Sequence, residues 1–194
     1  MTIRRGEPWG TGVARPVDLV VAATDHELAE RVAGDGRPLA VSGGDLHRTI
    51  GSPGGGETMQ RVDVDLLRIV ADGTELIAVA HVIARRGWWR GPIAAVFNTE
   101  HLGAWDVAPR SHPNDGRADV LEVHPSMTVR QRFQAWRRLP AGTHVPHPSI
   151  RTARISEVSW RFDRPLDLYV DGRRHRRVTE LRVTVAPDAY CLHV

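Results

Sequence analysis

The sequence contains no lysine and a single cysteine, Cys191, in 194 residues. A lone thiol closes no internal disulfide, so the fold has to rest on its apolar core, which a chain of this length can supply. No apolar run reaches the ~18 residues that cross a bilayer. The opening residues, Met1 to Trp9, lack the apolar stretch of a secretion signal. Together these absences lead to the expectation of a cytoplasmic protein. A large surplus of charge is missing too: 26 basic residues, every one an arginine, face 23 acidic ones, for a net charge of +3. That balance does not argue for nucleic acid. No recognised nucleic-acid motif or interleaved aromatic platform accompanies it, so no nucleic-acid partner is expected. The all-arginine choice fits either a codon bias or a basic surface for phosphate or anionic lipid.

What is present divides near residue 59. Residues 17–50 read as a short α/β unit: an apolar run at 17–23, a helix capped by Thr24 or Asp25, with Glu27 three residues after Thr24 as a capping box wants, a stop at Gly34, and a second strand at 38–42. Gly51 to Gly56 is loop or linker by composition. From residue 60 the pattern becomes a series of short strands, separated by turn signals at Asp72-Gly73, Asp115-Gly116, Asp163-Arg164-Pro165 and Asp171-Gly172. One helix interrupts them near 128–138. Thr128 and Gln131 form its capping box, and Val129, Phe133, Trp136 and Leu139 form an apolar stripe that is expected to pack on a sheet. The fold class is therefore α+β, mainly β: a β-sandwich over 60–194 with one main helix, and a small α/β segment over 1–59.

Three ordered stretches resemble the diacylglycerol kinase catalytic family, the bacterial lipid kinases related to NAD kinase. The first runs from Asn98-Thr99-Glu100-His101-Leu102-Gly103 through Ala108-Pro109 to Asn114-Asp115-Gly116-Arg117-Ala118-Asp119. The second is Gly142-Thr143-His144 with His147-Pro148. The third is Asp163-Arg164-Pro165-Leu166 with Val170-Asp171-Gly172. The resemblance implies that 60–194 form the C-terminal β-sandwich domain of such kinases and that 1–59 are a vestige of the nucleotide-binding part. It further implies that Gly43, Gly44 and Asp45 match the start of the family's phosphate loop, whose glycines let backbone amides approach phosphate. Leu46 and His47 stand where that loop has glycine and threonine, which puts ATP binding in doubt. The family's catalytic glutamate is matched by Arg173, and a guanidinium cannot accept a proton. Asp171 beside it is left as an acidic candidate, with Asp45 and Asp115. By the same match Asp115 would hold Mg²⁺, helped by the carbonyls of His112 and Arg117; the plain alternative is a turn.

Two segments stand out by composition alone. Arg85-Arg86-Gly87-Trp88-Trp89-Arg90 sets two tryptophans among arginines, which suits a membrane interface or a simple hairpin. Arg173-Arg174-His175-Arg176-Arg177 could grip phosphate or phospholipid, or be a solvated hairpin. His144 and His147 read as loop-packing residues rather than half a zinc site. The expectation is a divergent lipid-kinase-like protein, catalytically impaired, that binds a lipid or phosphorylated small molecule with peripheral membrane contact. The alternatives are a kinase completed by a second chain, as a homo-oligomer or with a partner, and a non-catalytic interaction module.

Overall fold

The computed structural model describes residues 9–34, 36–51 and 56–194. The opening residues 1–8, and residues 52–55 of the glycine-rich loop, lie outside the described residues. In chain order the strands are β1 (Thr11–Ala14), β2 (Val20–Ala22), β3 (Leu39–Val41), β4 (Thr58–Ala71), β5 (Thr74–Ala78), β6 (His81–Arg85), β7 (Ile93–Phe97), β8 (His101–Leu102), β9 (Trp105–Asp106), β10 (Ala118–Val123), β11 (Ile150–Ile155), β12 (Glu157–Val170) and β13 (Arg173–His193). Helix α1 (Asp25–Gly34) separates β2 from β3, α2 (Gly44–Ile50) follows β3, and α3 (Val129–Arg138) lies between β10 and β11.

Among the described residues, eleven strands join one sheet with the backbone order β1-β4-β13-β12-β6-β7-β10-β11. Strands far apart in that order, β4, β12 and β10, contribute Ile69, Leu168 and Val120 to one buried cluster. The sheet therefore curls around that cluster, which is the interior of the sandwich. Period-two alternation sends neighbouring residues to opposite faces. Val82 and Val96 face the interior, while Ile83, Ala95 and Phe97 face outward into a second cluster with Val107 and Ala108. A third cluster joins the first half of β4 to α1, α2 and β3 through Val62, Val64, Leu28, Leu46 and Val41. The described residues of this N-terminal part, 9–34 and 36–51, are thus not a loose appendage. β1 pairs antiparallel with β4, and β3 lies parallel to the end of β13, with Leu39 opposite Leu192.

The Thr128–Gln131 capping box read from sequence is present, and Thr24 caps α1 while the Glu27 carboxylate accepts from Ala23 N–H instead of Thr24 N–H. Glu27 N–H donates to Thr24 Oγ1 at 3.1 Å, and Gln131 N–H donates to Thr128 Oγ1 at 3.3 Å. The Asp72-Gly73 and Asp171-Gly172 pairs make two-residue hairpins with positive φ at both positions, as that turn demands. Two expectations are corrected. Asp163-Arg164-Pro165 is not a turn: β12 runs through it as one strand, and the pairing register jumps from Arg161–Glu180 to Leu166–Val178. A bulge holds the proline, which has no N–H for the ladder. Of the apolar stripe expected to pack on the sheet, only Leu139, just past the end of α3, does so. Val129, Phe133 and Trp136 face solvent, and the buried side chain of that helix is Arg132. The physical reason is that Arg132 finds main-chain acceptors beneath the helix: Nε donates to Met127 O at 3.1 Å, Nη1 to Trp88 O at 3.0 Å, and Nη2 to Gly91 O and to His124 O at 3.3 Å.

Candidate functional site

The Gly43-Gly44-Asp45 corner lies between β3 and α2, pressed against α1. A Cβ on Gly43 would sit 2.4 Å from Ala23 O, and one on Gly44 (φ +95°) would sit 2.4 Å from the Asp25 carboxylate. Both positions therefore need glycine. The amides that would greet a phosphate are already engaged. Asp45 N–H and Leu46 N–H donate to the two carboxylate oxygens of Asp25 at 2.6 and 3.1 Å. An entering phosphate would have to displace that carboxylate and withstand its charge. Burial pushes the Asp25 pKa up to about 7, opposed by the two amide bonds and reinforced by Asp171 and Asp45 nearby.

Asp45 itself turns toward the sandwich. Its Oδ1 accepts from Gly103 N–H at 2.7 Å, and its Oδ2 lies 3.4 Å from Nδ1 of the buried His81. Gly172 N–H donates to His81 Nε2 at 3.1 Å. That bond assigns the proton of the neutral ring to Nδ1, on the side of Asp45. Burial holds His81 below its usual pKa, with Asp171 and Asp45 pulling the other way. Asp171 accepts three backbone N–H bonds, from Val79, Ala80 and His81, each at 2.9 Å. Asp171 thus pins the corner between β5 and β6, and a proton acceptor so enclosed is not presented to a substrate.

The other sequence candidates are dispersed. Arg173 reaches α1, with Nη1 at 2.5 Å from His26 Nε2 and 3.9 Å from Glu30. Arg174 bonds Asp167 at 2.6 Å, and Arg176 bonds Ala71 O at 2.5 Å. The arginine-rich hairpin therefore spends much of its charge on the protein itself. Asp115 accepts from Arg117 N–H at 3.0 Å and is paired with Arg154. The His112 ring packs edge-on against Trp9 with centroids 4.8 Å apart, and its Nδ1 accepts from Asn114 N–H at 3.2 Å. Among the described residues no group of three His, Cys, Asp or Glu side chains comes together to hold a metal. With a guanidinium already on its carboxylate, Asp115 does not fit a Mg²⁺ site. The turn is organised instead by Asp65, fully buried, which accepts from Gly116 N–H at 2.7 Å and Asp188 N–H at 2.9 Å. Burial raises the Asp65 pKa to about 6.

An apolar cavity lies between α3 and the outer face of β6, β7 and β10. It measures about 140 Å³, and its walls include Ile83, Ala95, Phe97, Leu121, Trp105 and Leu139. Trp88, Trp89 and Trp136 also line it. Arg85 stacks on Trp88 at 4.2 Å and on Tyr169 at 4.4 Å, fixing the start of the Trp88-Trp89 loop. His144 also lines this space, buried, with neither ring nitrogen in a hydrogen bond. Desolvation lowers its pKa, against the pull of Asp106 and of the neighbouring Val107 backbone.

The sequence matches the family described as YegS C-terminal NAD kinase beta sandwich-like domain over residues 59–194. The chain belongs to this family. Crystal structures of diacylglycerol kinase proteins from Bacillus anthracis str. Sterne share the fold. One aligns with a TM-score of 0.65 at 14% identity, covering 90% of this chain and 77% of its own. Another gives the same score and identity, covering 75% of its own chain. No curated protein matches.

Sequence reasoning singled out Trp88 and Trp89 in the YegS-type domain and the Gly43-Gly44-Asp45 corner ahead of it, but missed the residues that organise them. Asp25 looks like an ordinary first-turn acid, and only the fold aims it at α2. Asp65 gives a fainter signal, a carboxylate at a position in β4 flanked by Val64 and Leu66, both buried. Arg132 gives none, because its helix reads as amphipathic in the opposite sense.

Proposed function

We propose that this chain is a lipid-binding member of the YegS-type family, and that it lacks a complete phosphoryl-transfer centre of its own. The observation that supports lipid binding is the apolar cavity under α3, in which His144 alone offers unpaired ring nitrogens. An apolar cavity near 150 Å³ stays dry and takes a benzene-sized group, so this one takes a segment of an acyl chain, the remainder leaving between Trp88, Trp89 and Trp136. A neutral imidazole carries one donor and one acceptor. It suits a hydroxyl or ester group of a diacylglycerol, and burying either group there without such a partner would be unfavourable. The second half of the proposal is supported by Asp25 on the amides of Asp45 and Leu46, by Arg173 in place of a base, and by Asp171 enclosed in backbone bonds. Phosphoryl transfer depends on positioning the triphosphate, and neither cradle nor proton acceptor is free.

The test is native mass spectrometry of the chain incubated with a short-chain diacylglycerol, beside assays of ATP turnover. A one-to-one adduct is expected, and Ala135→Trp, which fills the cavity from α3, should abolish it. No adduct, or an adduct that survives the plug, would overturn the cavity reading. Neither the chain nor Arg173→Glu is expected to phosphorylate the lipid; vigorous turnover by either would overturn the second half.

A further inference from the structure

We infer that the face formed by α3 and the β6–β7 loop is a docking surface for an anionic lipid bilayer. The proposal builds on the lipid-binding reading, and its test separates the two. Four large aromatic side chains sit together on this face and remain open to solvent: Trp88 is 38% exposed, Trp89 43%, Phe133 47% and Trp136 41%. Trp89 lies 6.4 Å from Phe133 and 6.2 Å from Trp136 between ring centroids, and Phe133 lies 5.7 Å from Trp136. Scattered single apolar residues on a surface need no explanation, but a contiguous aromatic group does. The two segments come from distant parts of the chain and are fastened together by the buried Arg132 through Trp88 O and Gly91 O.

Charge selects the occupant. Residues 83–94 and 127–142 contain no Asp or Glu, yet they carry Arg86, Arg90, Arg130, Arg137 and Arg138 as exposed residues. Tryptophan is favoured at the headgroup level of a bilayer, and arginine stems lie along apolar surface while their guanidinium groups reach phosphate. An apolar centre carried on two segments that hold arginine and no acidic residue thus complements an anionic membrane. The same face is the mouth of the cavity, since Trp88, Trp89 and Trp136 also line its interior. A chain docked here opens its cavity into the acyl region of the membrane rather than into water.

The experiment is co-sedimentation of the full chain with vesicles of phosphatidylcholine, with and without phosphatidylglycerol, at low and high salt. Binding is expected to the phosphatidylglycerol vesicles and to weaken with salt. Val129→Ser with Phe133→Ser, which leaves the cavity walls untouched, should weaken binding about tenfold or more. Arg86→Gln with Arg137→Gln should weaken it on the order of 30-fold at low salt. Both pairs are exposed, so thermal midpoints should fall by no more than about 5 °C. Ala135→Trp should still bind vesicles while losing the diacylglycerol adduct; that result with a failed adduct in the parent chain would overturn the cavity reading alone. The docking proposal is overturned if the parent ignores both vesicles, if the Val129/Phe133 pair is without effect, or if Ala135→Trp abolishes vesicle binding. It is also overturned if the parent is a dimer that the same pair dissociates, because the face then belongs to a second copy.

Discussion

Replacing Arg132 with methionine is the most direct probe of how the cavity face is built. The stem is retained and the guanidinium removed, so the carbonyls of Met127, Trp88, Gly91 and His124 all lose a donor. A buried acceptor left unpaired costs about 1–3 kcal/mol. The bond to Met127 O is buried and takes that penalty in full, while the other three are partly buried and can recruit water. Part of the loss is recovered because the guanidinium no longer has to be desolvated; burial lowers the Arg132 pKa, which shows that desolvation opposes its charge. The net destabilisation should be about 3 kcal/mol, or roughly 6–12 °C in thermal midpoint for a domain of this size. Limited proteolysis should then cut first between residues 86 and 91, where the loop has lost its anchor. A loss under about 1 kcal/mol, with the loop still protected, would refute the reasoning and mean that α3 is held by its apolar contacts alone.

Other substitutions test neighbouring parts of the structure. Trp136→Ala should cost only about 1 kcal/mol in urea unfolding, the worth of an exposed aromatic contact, whereas a core tryptophan would cost about 3–5 kcal/mol. Gly44→Ala should destabilise by about 3 kcal/mol or more, measured the same way, because it imposes strain at φ +95° and drives a methyl into Asp25. The pH dependence of stability should carry the mark of Asp25. Its folded pKa of about 7 lies above the unfolded 3.8, so the folded state holds the extra proton, and stability contributed by Asp25 falls as pH rises from about 4 to 7. The linkage limit is about 4 kcal/mol. Buried histidines such as His81, held below their usual pKa, tilt the curve the other way below about 6.5. The measurement is therefore the difference between parent and Asp25→Asn at pH 5 and pH 8, where the histidine contributions cancel. The parent should lose stability relative to the variant at the higher pH; a difference independent of pH would refute the assignment.

Local chemistry was legible from residues 20 to 193. Strand runs, the Asp-Gly hairpins and the caps of α1 and α3 follow from interactions between residues a few positions apart, and the ordered motifs around Asn98, Asp115 and Asp171 pointed to the family. What the sequence could not supply were choices made between distant segments. The turn signal at Asp163-Arg164-Pro165 yielded to a bulge because β12 is held on both sides, by β13 and by β6. The glycine corner was recognised, but its occupant, Asp25, comes from another element, and only the packing of α1 against α2 aims a carboxylate at those amides. The clearest case is α3. Its stripe of Val129, Phe133 and Trp136 is read inward by periodicity, which records only that one side of a helix is apolar. Which side faces the protein depends on what lies beneath, and there four carbonyl groups needed a donor. Arg132 met that need, and the aromatic side chains were left on the surface.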